Sequence, residues 1–169
     1  RDTDRSRGLG DVYKRQAYEY ALSLLDRREH GEKELSQKLK RKGCTVPLIS
    51  ETLAKLKRFN LLNEERYARR VFELWRNKRI YGRLHLQAEL AKKQVADTYI
   101  SLFLQEFTDT EEEEHVLAAC DMLCKRHDAK YDVTTEKGVA AFVRYLTARG
   151  FGTRMIRIAL EKAKATLLE

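Results

Sequence analysis

The chain has 169 residues, 43% hydrophobic and 36% charged, with a formal net charge of +8. That length suits one compact domain or a short array. One Pro and eight Gly argue against a many-stranded sheet and for long helices. There is no apolar run of about 18 residues for a membrane span, nor the apolar stretch of about 7–15 residues that marks a secretory signal. Three Cys make no disulfide framework, which points to a reducing, cytoplasmic setting.

Residues 1–16 differ from the rest. They are polar, lack apolar periodicity, and carry two of the eight glycines. They look like a translated sequencing-adapter remnant; the other reading is a natural disordered arm. Either way they are set aside from the fold.

From Ala17 onward the apolar spacing predicts helices. The first runs from about Tyr18 to Arg28, with Leu24 and Leu25 inward, and Gly31 ends it. The second runs from about Glu32 to Lys42 and stops at Gly43, a residue suited to a left-handed helix end. Thr45 caps the third, Pro47 is tolerable in its first turn, and the helix ends near Asn60. Asn63 caps a fourth helix carrying Ala68, Val71, Phe72 and Trp75 and ending near Ile80. Tyr81-Gly82 turns into a fifth with Leu86 and Leu90, and Asp97 caps a sixth with Ile100, Leu104 and Phe107. Thr110 and Glu113 are spaced as a capping box for the seventh, and Glu111–Glu114 sit at the positive end of its dipole. Residues 127–134 read as a loop. The last two helices cover about Thr135–Arg149 and Thr153–Leu168.

One pattern recurs. Leu35, Leu39, Gly43 and Ile49 surround Arg41-Lys42. A shift of 51 positions gives Leu86, Leu90, Gln94 and Ile100 around Lys92-Lys93; a shift of 107 gives Phe142, Leu146, Gly150 and Ile156 around Arg149. Such repetition means stacked units that cannot bury their apolar faces alone. The chain therefore reads as all-α, with three-helix repeats at residues 17–62, 63–107 and 108–169 after a leader at 1–16. The turn between the second and third helices of each repeat resembles a helix-turn-helix. Such a unit serves DNA binding or protein scaffolding equally well.

Charge is uneven. Residues 1–16 carry +2, 17–62 carry +4, 63–107 carry +3 and 108–169 carry −1. Basic surfaces attract phosphate backbones and acidic protein grooves. The turn-proximal cations are the candidates for binding: Arg28, Lys38, Arg41 and Lys42 in the first repeat; Arg76, Arg79, Arg83, Lys92 and Lys93 in the second; Arg149 and Arg154 in the third. Trp75 and Tyr81 lie among them, where aromatics can stack on bases, although Trp75 also belongs to a core stripe.

Chemistry finds little support. There is no glycine-rich phosphate loop, nucleophile elbow or H-E-x-x-H pair, so no catalytic residue, cofactor or metal site is assigned. Cys120, Cys124 and His127 share a helix face, but three ligands on one helix rarely converge on a tetrahedral ion. The two Cys read as small buried thiols. His30 and His85 fall near turns and read as solvated or capping side chains. Glu34 and Lys38 read as an i,i+4 pair.

The stretch YALSLLDRREH from Tyr20 to His30, followed by Glu34-Leu35, Lys38-Leu39 and Lys42-Gly43, resembles the opening of the RecX family of regulatory proteins. So does Leu61-Leu62-Asn63-Glu64-Glu65-Arg66-Tyr67-Ala68 with Tyr81-Gly82-Arg83 and Glu89-Leu90; Phe142, Leu146, Arg149-Gly150-Phe151 and Ile156 are similar to the family's last repeat. Asn63 stands where many members have Asp, and Gln94 where Gly is common. The resemblance covers essentially all of residues 17–169. It implies an elongated, curved array of three tandem three-helix repeats that binds the RecA recombinase and its filament on DNA. It further implies suppression of ATPase, strand-exchange and coprotease activity in DNA repair and recombination, with the body lying in the filament groove across neighbouring protomers. The partners expected are the RecA filament and DNA, single- or double-stranded and weakly bound by the protein alone; no membrane is expected, and the protein is expected to be a monomer. The alternative is a helix-turn-helix-like DNA-binding module acting without RecA.

Overall fold

The computed structural model describes the backbone of residues 2–169 and side chains from Arg5 onward. Among the described residues there is no strand. The helices are α1 (Asp2–Arg27), α2 (Glu32–Arg41), α3 (Val46–Arg58), α4 (Glu64–Arg76), α5 (Arg83–Lys92), α6 (Asp97–Glu106), α7 (Asp109–Cys124), α8 (Glu136–Ala148) and α9 (Thr153–Thr166), with a 3-10 turn at Ala129–Tyr131. They gather into two compact units, Arg1–Arg70 and Val71–Glu169.

In the first unit Ala21, Leu24, Leu35, Leu39, Ile49, Leu53, Leu56 and Leu62 form one apolar cluster among α1, α2 and α3. The opening turns of α4 join this unit. The ring of Tyr67 fills the space beside Gly31, where an added Cβ would lie 3.0 Å or less from two ring carbons. The Glu64 carboxylate accepts a hydrogen bond from the backbone N–H of Glu32, and Arg66 Nε pairs with Glu29 at 2.7 Å. In the second unit, Phe72 stacks on Phe103 at 4.7 Å and Trp75 meets Phe107 edge-on at 5.0 Å. A further cluster joins Val116, Cys120, Leu123, Phe142, Leu146, Phe151 and Ile156.

The recurring pattern is a recurring turn. Gly43, Gln94 and Gly150 have φ of +100°, +58° and +86°. In each case the next residue's N–H reaches back to close the helix: Cys44 to Leu39 O at 3.1 Å, Val95 to Leu90 O at 3.0 Å, Phe151 to Leu146 O at 3.2 Å. This is the six-to-one bond of a helix ended by a left-handed residue. The carbonyl acceptors belong to Leu39, Leu90 and Leu146, all fully buried. One side chain anchors the core while its own backbone ends the helix.

Several boundaries differ from expectation. Residues 2–16 continue α1 rather than forming a disordered arm, yet the side chains described up to Gln16 are largely exposed and the core begins at Ala17. The cap of α7 is Thr108, whose hydroxyl accepts from Glu111 N at 3.2 Å, not Thr110. Ala96 rather than Asp97 precedes α6. Helix α4 stops at Arg76, because Arg79 turns left-handed with φ +59°. Asn63 does cap α4, its Oδ1 accepting from Arg66 N at 3.0 Å. Residues 127–134 are ordered by side chains: Asp128 accepts from Lys130 N, Asp132 accepts from Thr134 N, and Val133 is buried.

Candidate binding surfaces

The same turns fix the basic side chains. Lys42, Lys93 and Arg149 each occupy the C-cap of the second helix of a repeat. A cation there faces the negative end of the helix dipole, so part of the pattern is local electrostatics. Lys42 is exposed, with its Nζ 5.0 Å from the Tyr20 ring. Arg41, Arg79, Lys92, Lys93 and Arg154 are exposed as well. The structure thus brings Arg41 and Lys42 together at one turn of the first unit, and Lys92 and Lys93 together at one turn of the second.

Four candidates are held internally. Arg28 bonds both carboxylate oxygens of Glu34, and that pairing raises its pKa. Burial alone would raise the Glu34 carboxyl, but the hydrogen bond and charge of Arg28 carry it below the ordinary carboxylate value. Lys38 lies 3.4 Å from the same carboxylate and 2.8 Å from His30 Nε2. Arg76 grips Glu111 with Nε and Nη2 and also reaches Glu106 and Glu73, each at 3.4 Å. The hydrogen bond from Arg76 holds the Glu111 carboxyl low. Arg83 pairs with Asp109 at 3.0 Å and Glu112 at 3.5 Å, while its backbone N–H donates to Glu112. Arg154 reaches Asp109 at 3.3 Å. The acidic start of α7 therefore does more than suit a helix dipole: it ties α4, α5 and α9 together.

Buried polar side chains were the features hardest to see in sequence. His30 is 2% exposed, with Nδ1 bonded to Arg28 O and Nε2 to Lys38. Burial holds its pKa below the ordinary value. His85 accepts from the indole N–H of Trp75 at 2.9 Å and stacks on Tyr81 at 4.0 Å; burial lowers its pKa as well. Neither is a solvated turn residue. Trp75 is 2% exposed, in the core. His115 Nδ1 meets Tyr81 O at 2.9 Å. Cys120 is buried, its thiol pushed up to about 12 chiefly by burial, but Cys124 is exposed rather than buried. Among the described residues no group of His, Cys, Asp and Glu could hold a metal ion, and no helix is long and apolar enough to cross a membrane.

Arg149 stands apart. Its guanidinium carbon lies 4.6 Å from the Tyr145 ring and 5.3 Å from the Tyr81 ring. Lys78 Nζ lies 5.8 Å from Tyr81. The Arg149 carbonyl accepts from Gly82 N at 2.9 Å, and Gly150 O accepts from Leu84 N at 3.1 Å.

Known proteins share this architecture. A family model described as "RecX, first three-helix domain" matches residues 17–56. "Regulatory protein RecX" of Syntrophotalea carbinolica is 32% identical over 143 residues, covering 83% of this chain and 91% of its own. The protein of the same name from Pelodictyon phaeoclathratiforme is 33% identical over 145 residues, covering 85% and 86%. The crystal structure of RecX from Lactobacillus salivarius superposes with a TM-score of 0.76 at 22% identity, over 92% of this chain and 99% of that one.

Proposed function

Because this chain belongs to the RecX family, we propose that it binds the RecA recombinase and its filament on DNA and inhibits ATPase, strand exchange and coprotease activity. The observation that carries this reading is the similarity to proteins named as RecX regulators along most of both chains. The repeats at 17–62, 63–107 and 108–169 contact successive protomers, so that many weak contacts add by avidity. The exposed cations at the repeated turns, Arg41, Lys42, Lys92 and Lys93, meet acidic patches of the recombinase or DNA phosphates. Inhibition follows if the protein binds one filament state better than another. The protein acts as a monomer in the cytoplasm and performs no catalysis of its own.

The test is the ATPase of the cognate recombinase on single-stranded DNA with this protein titrated in. Progressive inhibition at salt where naked DNA is weakly held supports the proposal. The helix-turn-helix alternative predicts tight, steeply salt-dependent binding to naked DNA with no effect on the recombinase.

A further inference from the structure

Arg28, Arg76 and Arg83 are half-buried, and each meets a carboxylate. Arg149 is also half-buried, yet among the described residues it meets none. Its Nε and Nη1 are enclosed without a hydrogen-bond acceptor, and so is the Tyr145 hydroxyl. Nη2 is not among the enclosed atoms. Two tyrosine rings lie close to the guanidinium, and Lys78 approaches the same Tyr81 ring with no ion pair among the described residues. A half-buried cation without a counter-charge is costly. An incoming anion removes that cost.

We infer that Lys78 and Arg149, set around Tyr81, form a binding site for the phosphodiester backbone of DNA. A phosphodiester accepts single bonds from separate cations, which is what one guanidinium corner and one ammonium provide. The inference rests on the reading that the chain acts on DNA-bound recombinase, and supplies that reading with a DNA contact.

The chain's single Trp reports the site from inside: Trp75 bonds His85, which stacks on Tyr81. The experiment is a titration of the full chain with oligothymidylate, followed by Trp75 fluorescence at several salt concentrations. Wild type gives a saturable change whose affinity falls with salt. Lys78→Gln and Arg149→Gln each weaken binding several-fold and lower the salt slope by about 1, while Arg149→Lys keeps the slope. An unchanged slope in Lys78→Gln, an exposed position whose loss leaves the fold intact, overturns the site even if Arg149→Gln does not fold. So does an equal loss in Lys33→Gln, an exposed lysine of the first unit. The underlying reading fails separately: if wild type leaves the recombinase ATPase untouched while these slopes fall, the phosphate site stands and the recombinase role does not.

Discussion

At Gly150 the backbone leaves no room for a side chain. Its φ is +86°, and an added Cβ would sit 2.5 Å from His85 Cβ and closer still to the His85 backbone nitrogen. Across the same junction a Cβ on Gly82 would lie 2.5 Å from Gly150 O. Strain and overpacking act together, so Gly150→Ala is expected to cost about 3 kcal/mol or more in urea unfolding. Gly43→Ala carries only the φ penalty, since nothing lies within 4 Å, and should cost about 1–2 kcal/mol. Gly152→Ala meets open space at negative φ and should cost only about 0.5–1 kcal/mol, because Gly152 is the N-cap of α9, where alanine is disfavoured. Equal effects at all three positions would contradict the account.

His30 makes a second case at this scale. Its folded pKa lies below the ordinary 6.5 because burial disfavours the cation, and the nearby charges of Arg28 and Lys38 act the same way against Glu34. As pH falls through about 6.5 the unfolded chain takes the proton first. Stability contributed by neutral His30 is therefore complete above that pH and lost below it. Urea midpoints measured from pH 7.5 to 5 should fall, and His30→Gln should flatten the fall. A midpoint that rises on acidification over this range would reverse the sign and refute the burial argument.

Elements were legible where a period was strong. Leu35, Leu39, Leu86, Leu90, Phe142 and Leu146 announce three equivalent helices, and all are 0–1% exposed. The left-handed turn could be read from Gly43 and Gly150. At Gln94 the residue type hid it, though the geometry is the same. Gln94→Gly should relieve left-handed strain and raise stability by about 0.5–1 kcal/mol, offset in part by glycine's entropy; a loss would mean the Gln side chain holds the turn. Caps were less legible, because Thr108 and Thr110 are equally good on paper and backbone context selects the first. The i,i+4 pair of Glu34 and Lys38 was legible from its spacing, but the long-range ion pairs were not. Arg76 and Glu111 are 35 positions apart, Arg83 and Glu112 are 29 apart, and no helical period links them. Turn-proximal cations therefore read as a free basic face although several answer to internal carboxylates. A double-mutant cycle on Arg76→Ala and Glu111→Ala should show coupling of about 1 kcal/mol or more for this bidentate, half-buried pair. Coupling near zero would mark it as incidental.

For the whole molecule, the internal pairs change what the net charge of +8 means. Arg28, Arg76 and Arg83 are largely neutralised by Glu34, Glu111 and Asp109. Of the candidate cations at the repeated turns, Arg41, Lys42, Lys92 and Lys93 remain exposed. That arrangement suits many modest contacts along a polymer better than one tight site. Charge reversal at Arg41, Lys42, Lys92 and Lys93 together should weaken recombinase inhibition while leaving helicity intact by circular dichroism. Reversal at Arg76 should instead reduce stability first, by breaking its contacts with Glu111, Glu106 and Glu73. Potency that survives the fourfold reversal would remove the exposed turns from the proposed interface.

The proposed role stands or falls on the steady-state ATPase of the cognate recombinase on single-stranded DNA, with this chain titrated to saturation. The account predicts a dose-dependent fall in turnover at salt where binding to naked DNA is weak. Unchanged turnover at every concentration, with the filament demonstrably formed, would contradict it.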